Sequence, residues 1–197
     1  MSYRAPVADI AHAMRVAGGL DEAIASGLYA DLDGDTAFAI LEEAAKMADG
    51  VLAPLNRAGD LNGPRYANDE VKTAPGWIDA YRAWREAGWN ALTGPTDFGG
   101  QGLPLLLGAA VAEMWHSSNM AFGLCPLLTA GAIEAVAAHG SDDLKERYLA
   151  KLISGEWTGT MNLTEPQAGS DLAALRAKAE RAGDGTYRIT GQKIFIT

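Results

Sequence analysis

The sequence changes grammar at Gly155, and that change constrains the fold more than any single motif. Up to Gly155, apolar residues recur at spacings of three and four, the period of an α-helix that turns one face to a core. The strongest run starts at Asp35: Phe38, Leu41, Ala45, Ala48, Leu52 and Leu55 share a face, while Glu42, Glu43 and Lys46 lie elsewhere. It predicts a helix to Ala53, just before Pro54. Val7, Ile10, Ala11 and Met14 predict a shorter helix over 7–17, with another short helix and a linker following it. Residues 56–76 read as a polar loop, and Trp77, Tyr81 and Trp84 mark a helix ending near Gly88. After the glycine-rich "LTGPTDFGGQGLP", helices are expected at about 104–118, 126–138 and 142–153. Pro104 fits the first turn of the first, and Ser141 the N-cap of the last. The first 155 residues are thus expected to be an all-helical array.

Beyond Gly155, "WTGTMNL", "DGTYRIT" and "KIFIT" read as strands, rich in Thr, aromatic and β-branched residues. "LRAKAERA" is ambiguous: propensity favours a helix, while Ala177 and Ala179 alternate with charges as in a half-buried strand. The organisation expected is an N-terminal extension at 1–34, a helical domain at 35–155, and the start of a β-domain at 156–197.

Charge and composition exclude several functions. The net charge is −9, with no basic stripe, which argues against nucleic acid and anionic membrane surfaces. The single cysteine, Cys125, excludes an intramolecular disulfide, and His12, His116 and His139 begin no metal-spacing motif. No uninterrupted apolar run approaches transmembrane length and no apolar leader is visible, so the expected location is the cytoplasm.

Among candidates for chemistry, "GPTDFGGQG" lacks the Lys-Ser/Thr and the preceding strand of a phosphate loop and reads as a tight turn. His116 has no local catalytic partner, and Cys125 reads as a small buried residue. Met120, Phe122 and Leu124 read as core on periodicity alone. "MNLTEPQAGSD", residues 161–171, is different. Gly169 permits close backbone approach, while Ser170 and Thr164 offer hydroxyls beside free amides, a set that holds an anion without Lys or Arg. From the residues alone it is a functional loop with an unnamed ligand.

"MNLTEPQAGSDL" followed by "AGDGTYRITGQKIFIT" resembles the flavin-binding signature of the acyl-CoA dehydrogenase family. "GPTDFGGQGLP" and "HGSDDLKERYLAKLISGEWTGT" resemble family stretches that lead into it, so the likeness covers about residues 80–197. "YRAPV" and "SGEWTGTMNLTEP" resemble a longer subgroup of that family. The resemblance implies a mainly α chain: the N-terminal helical domain of that fold, followed by the first strands of its middle β-domain. It implies FAD as cofactor, an acyl-CoA substrate, an electron-transfer flavoprotein as electron acceptor, and a homo-oligomer.

By motif match, Met161, Asn162, Leu163 and Thr164 would run beside the isoalloxazine ring. Ser170 would touch the flavin pyrophosphate and lie near the CoA end of the substrate. Phe195, Ile196 and Thr197 would form the second flavin segment. Met120, Phe122 and Leu124 would line the acyl cavity, and "LRAKAERA" would be a strand. Glu165 would be structural, because the family's catalytic glutamate comes from a C-terminal helical domain that these residues do not reach. The apolar ending "KIFIT" gives the expectation of an N-terminal portion of a longer polypeptide, inactive without the remainder. A flavin oxidase or alkylation-response flavoprotein of the same fold is an alternative, as is a cofactor-free helical interaction module.

Overall fold

Helix α1 (Val7–Val16) turns Ile10 and Met14 inward, and α2 (Leu20–Ala25) adds Leu20 to the same core. A computed structural model describes residues 3–29 and 32–196 and divides the chain into two compact units, Met1–Gly159 and Thr160–Thr197. The residues read as an extension therefore belong to the first unit and share a core with Leu41 and Leu107.

Asp33 caps α3 (Gly34–Met47), its Oδ1 accepting from the Thr36 amide at 2.7 Å, and Ala37, Leu41 and Ala44 are buried. The helix does not stop before Pro54. It widens into a π-turn at Ala48–Leu52, which keeps Ala48 and Leu52 buried, and continues as α4 (Ala53–Asn62). Proline is tolerated here because it directly follows the π-turn, whose Ala53 amide reaches back to the Ala48 carbonyl and so widens the ladder where proline's missing N–H falls.

The expected polar loop at 56–76 is thus α4 followed by a hairpin. Strands β1 (Arg65–Ala67) and β2 (Glu70–Lys72) pair antiparallel, with Tyr66 opposite Val71. Asn68 and Asp69, at φ 54° and 59°, supply the left-handed two-residue turn that matches strand twist. Gly59 lets α4 lie close to Trp77, since a Cβ there would meet the indole at 2.6 Å.

Helix α5 (Trp77–Glu86) leads into the glycine-rich stretch, which is a tight turn as read. The amides of Gln101, Gly102 and Leu103 donate to the carbonyls of Ala91, Gly94 and Leu92. Helix α6 (Leu105–His139) then spans both expected helices and the gap between them. It kinks at Asn119 (φ −157°, ψ 88°), whose Oδ1 accepts from the Phe122 amide at 3.1 Å and so restarts the helix at once. Its Nδ2 donates to the Leu52 carbonyl at 3.2 Å. Pro126 lies inside the second segment, not at its start.

By length and composition α6 is sufficient to cross a membrane, a feature the sequence reading did not find. Here it is the central core helix, with Leu107, Val111, Met114, Trp115 and Phe122 buried. Helix α7 (Asp142–Ile153) follows, Ser141 Oγ accepting from the Leu144 amide at 3.4 Å.

In the second unit, β3 (Lys178–Arg181) and β4 (Tyr187–Thr190) form an antiparallel hairpin, Ala179 opposite Ile189 and Glu180 opposite Arg188. "LRAKAERA" thus contributes a strand, as the resemblance implied and propensity opposed, because pairing with β4 supplies hydrogen bonds that outweigh a weak local preference. "WTGTMNL" and the described part of "KIFIT" carry no strand. Just past the first of them, the Ile194 amide donates to the Thr164 carbonyl at 3.0 Å, and one such bond without a paired neighbour makes no ladder.

Candidate functional site

The signature loop is organised around a buried carboxylate. Glu165 is 3% exposed, and its two oxygens accept four bonds. The amides of Arg176 and Ala177 donate at 2.8 and 3.0 Å, Gln167 Nε2 at 2.6 Å, and Lys193 Nζ at 2.9 Å. The Arg176 amide most of all, then the Lys193 ammonium, hold its pKa down to about 2. A carboxylate this acidic and this fully engaged is a poor proton acceptor, so its geometry is that of a structural group.

Lys193 does a second thing: its Nζ also donates to the Leu163 carbonyl at 2.9 Å. With the Ile194–Thr164 bond, this brings the two halves of the signature, 161–164 and 193–196, side by side. Gln167 Nε2 reaches the Ala174 carbonyl at 3.2 Å, and Asp171 Oδ1 accepts from the Ala173 amide at 3.2 Å. Those bonds frame the short loop that carries Ser170. Lys193 and Gln167 are the members that the sequence reading missed. The signal available was a lysine set among apolar residues in "GQKIF".

The predicted contact residues lie on the outside of this knot. Asn162 and Ser170 are exposed, and Leu163 and Thr164 half-buried. Met161 and Ile196 are exposed apolar side chains, and Phe195, at φ 55°, is 91% exposed. Thr197 lies outside the described residues. Among the described residues nothing requires glycine at 169, where a Cβ would meet only Thr164 Cγ2 at 3.8 Å.

On α6 the three predicted acyl-cavity residues separate. Phe122 is buried among Trp77, Tyr81 and Trp84, with ring centroids 6.2 to 6.4 Å away. Met120 and Leu124, one helical turn apart, are about half exposed and share their side with Leu127. Two residues of helix rotate a side chain by about 200°, which is why the middle member faces the core.

Beside that open side is a groove of about 350 Å³, lined in part by Trp84, His116, Gly123 and Leu127. A Cβ on Gly123 would press on the His116 ring at 3.0 Å. His116 Nδ1 lies 2.7 Å from the Ala112 carbonyl, to which it donates, while Nε2 of His116 and Nε1 of Trp84 are buried with no partner among the described residues. Cys125 is half-buried, and burial pushes its thiol pKa up, so it is no ready thiolate.

The family profile described as "Acyl-CoA dehydrogenase, N-terminal domain" matches residues 35–156. The chain belongs to the acyl-CoA dehydrogenase family. This acyl-CoA dehydrogenase family member is 47% identical over 197 residues to the 3-methylmercaptopropionyl-CoA dehydrogenase of Ruegeria pomeroyi, covering all of this chain and 34% of that protein. It is 34% identical over 204 residues to a butyryl-CoA dehydrogenase of Syntrophomonas wolfei, covering 100% of this chain and 33% of that one. The chain therefore spans about a third of the length of these relatives. Its fold matches the solved acyl-CoA dehydrogenase of Bacillus anthracis complexed with FAD, at a TM-score of 0.67 and 22% identity, over 84% of this chain and 27% of that one. The mainly helical N-terminal architecture expected from the resemblance is thus the observed one.

Proposed function

We propose that this chain is the N-terminal part of an FAD-dependent acyl-CoA dehydrogenase that introduces a Cα–Cβ double bond into an acyl-CoA thioester. The observation that carries the reading is the joining of 161–164 to 193–196, which leaves Met161, Phe195 and Ile196 as an exposed apolar rim. Soluble proteins seldom leave such a rim bare without a ligand for it.

The residues fit a flavin. Met161, Asn162, Leu163 and Thr164 offer backbone and a hydroxyl to a ring edge, with Phe195 and Ile196 as an apolar wall. Gly169 leaves room for a pyrophosphate beside the Ser170 hydroxyl, which also lies at the CoA end of the substrate. Bound FAD would supply the acceptor for the β-hydride. Met120 and Leu124 are the exposed apolar side chains on α6 that the resemblance gives to the acyl chain, while Phe122 is buried. By the family resemblance the α-proton goes to a carboxylate that these residues do not include, and Glu165, already saturated, is not that base.

Electrons pass to an electron-transfer flavoprotein, and the protein works as a cytoplasmic homo-oligomer in fatty acid metabolism. The names of the Ruegeria and Syntrophomonas relatives support the acyl-CoA dehydrogenase activity, and the FAD complex of the Bacillus neighbour supports the cofactor.

The test is the purified full-length protein. It should be yellow, take up FAD after stripping, and bleach on addition of an acyl-CoA with electron-transfer flavoprotein as acceptor. A colourless protein that takes up no FAD overturns the reading. Fast reoxidation of the reduced flavin by oxygen would instead make it an oxidase of the same fold. Leu124→Phe should change the acyl-chain preference, whereas Phe122→Ala should cost stability, about 3–5 kcal/mol, and leave the preference alone.

A further inference from the structure

Among the polar groups of the second unit, one pair does more than its local bonds require. Lys193 Nζ holds the Leu163 carbonyl and the Glu165 carboxylate together, each at 2.9 Å. Glu165 in turn holds Gln167 and the amides of Arg176 and Ala177. Three separate stretches, 163–165, 167–177 and 193–194, thus meet at one ion pair. The side chains of that pair are 28% exposed for Lys193 and 2% for Glu165. Each stretch bears, or adjoins, residues assigned above to the cofactor: Met161 to Thr164, Ser170, and Phe195 with Ile196.

We propose that Glu165 and Lys193 are a positioning pair, which sets the spacing of the two flavin-contacting segments before flavin arrives. The inference rests on the functional reading above. Neither residue is among those assigned to the flavin: Glu165 is buried and Lys193 28% exposed at its side chain, whereas Met161, Phe195 and Ile196 are exposed. Its physical role is preorganisation, removing from flavin binding the entropic cost of ordering two unconnected loop segments. An ion pair suits this better than an apolar contact, because its bonds fix direction as well as distance. Lys193, with three N–H donors, can serve the carbonyl and the carboxylate together.

The test compares full-length wild type with Lys193→Met, Lys193→Arg and Glu165→Gln. FAD affinity is read by fluorescence titration, the flavin by its visible spectrum and midpoint potential. The Ile194 amide is followed by hydrogen exchange in the FAD-free protein. Lys193→Met should weaken FAD by about 10- to 100-fold, the range known for outer supporting partners of bound metals, and should speed exchange at Ile194. Glu165→Gln should act in the same direction. Lys193→Arg, which keeps the charge and several donors, should recover most of the affinity and return the spectrum toward wild type.

FAD affinity within about twofold of wild type in a folded Lys193→Met protein overturns the proposal, on the scale of that expected range. Equal losses in Lys193→Met and Lys193→Arg with an unmoved potential also overturn it, reducing the pair to generic packing. Failure of the functional reading shows elsewhere, in a wild type that takes up no flavin.

Discussion

The two units are held by opposite means. In Met1–Gly159 the fully buried side chains are large and mostly apolar, Trp84, Leu41, Leu52, Leu107 and Met114 among them, and α1, α3, α5 and α6 each give residues to that core. In the second unit the buried residues among those described are Ala168 and Glu165, and both strands of its hairpin are exposed throughout. Burial stabilises the first through area removed from water, which tolerates small shifts. The second depends on a few directional bonds converging on one carboxylate, which tolerate almost none. A surface that must present backbone atoms at fixed spacing is better served by the second kind of construction.

The largest effect that would sharpen this contrast is in the first unit. Trp84→Ala removes an indole that packs on Tyr81 and Phe122, and should cost about 3–5 kcal/mol in urea unfolding followed by far-UV circular dichroism. A loss below about 1 kcal/mol would mean that the helical unit is not held by its apolar core.

Acid should act on the other unit first. Glu165 is depressed from its ordinary 4.5 to about 2, so its contribution is complete above pH 4.5 and is lost as pH falls toward 2. Amide exchange should therefore rise at Arg176, Ala177 and Ile194 across that window, while the buried turns of α3 and α6 keep their protection. Simultaneous loss in both units would erase the distinction.

The smallest effect concerns a helix end. Ser141→Ala removes the acceptor for the Leu144 amide, and should lower stability by roughly 1 kcal/mol in the same unfolding measurement, with no change in the second unit's exchange.

What was legible in the sequence follows the same division. Helices α1, α3, α5 and α7 announce themselves because each buries one face, and Ser141 and Gly155 bracket α7 with ordinary cap chemistry. Helix α4 was invisible since none of its residues is buried, and "NRAGDLN" therefore carries no apolar period. The β1–β2 hairpin is exposed throughout, so its one sequence trace was Asn68–Asp69. Pro126 suggested a boundary that Asn119 in fact makes, because a side chain capping the next turn looks, in sequence, like any buried polar residue.

For the site, the signature disclosed which backbone to examine. The partner that fixes it, Lys193, lies 28 residues from Glu165, beyond any local pattern. Met120, Phe122 and Leu124 separate because every second position on a helix turns by about 200°, so Phe122 lies on a different side, among Trp77 and Tyr81.

The β3–β4 hairpin has a consequence for handling the protein in solution. Its two strands leave outer edges free of partners among the described residues, a form that invites another strand to dock. Lys178, Glu180, Arg181 and Arg188 occupy it, with Glu180 opposite Arg188 and the Arg181 guanidinium 5.9 Å from the Tyr187 ring. Charge is the guard on that edge, and charge is what electrolyte weakens: the screening length shrinks from about 10 Å at 0.1 M to about 3 Å at 1 M. Where these edges stay uncovered, concentrated salt is the condition that should let hairpin edges of neighbouring molecules meet.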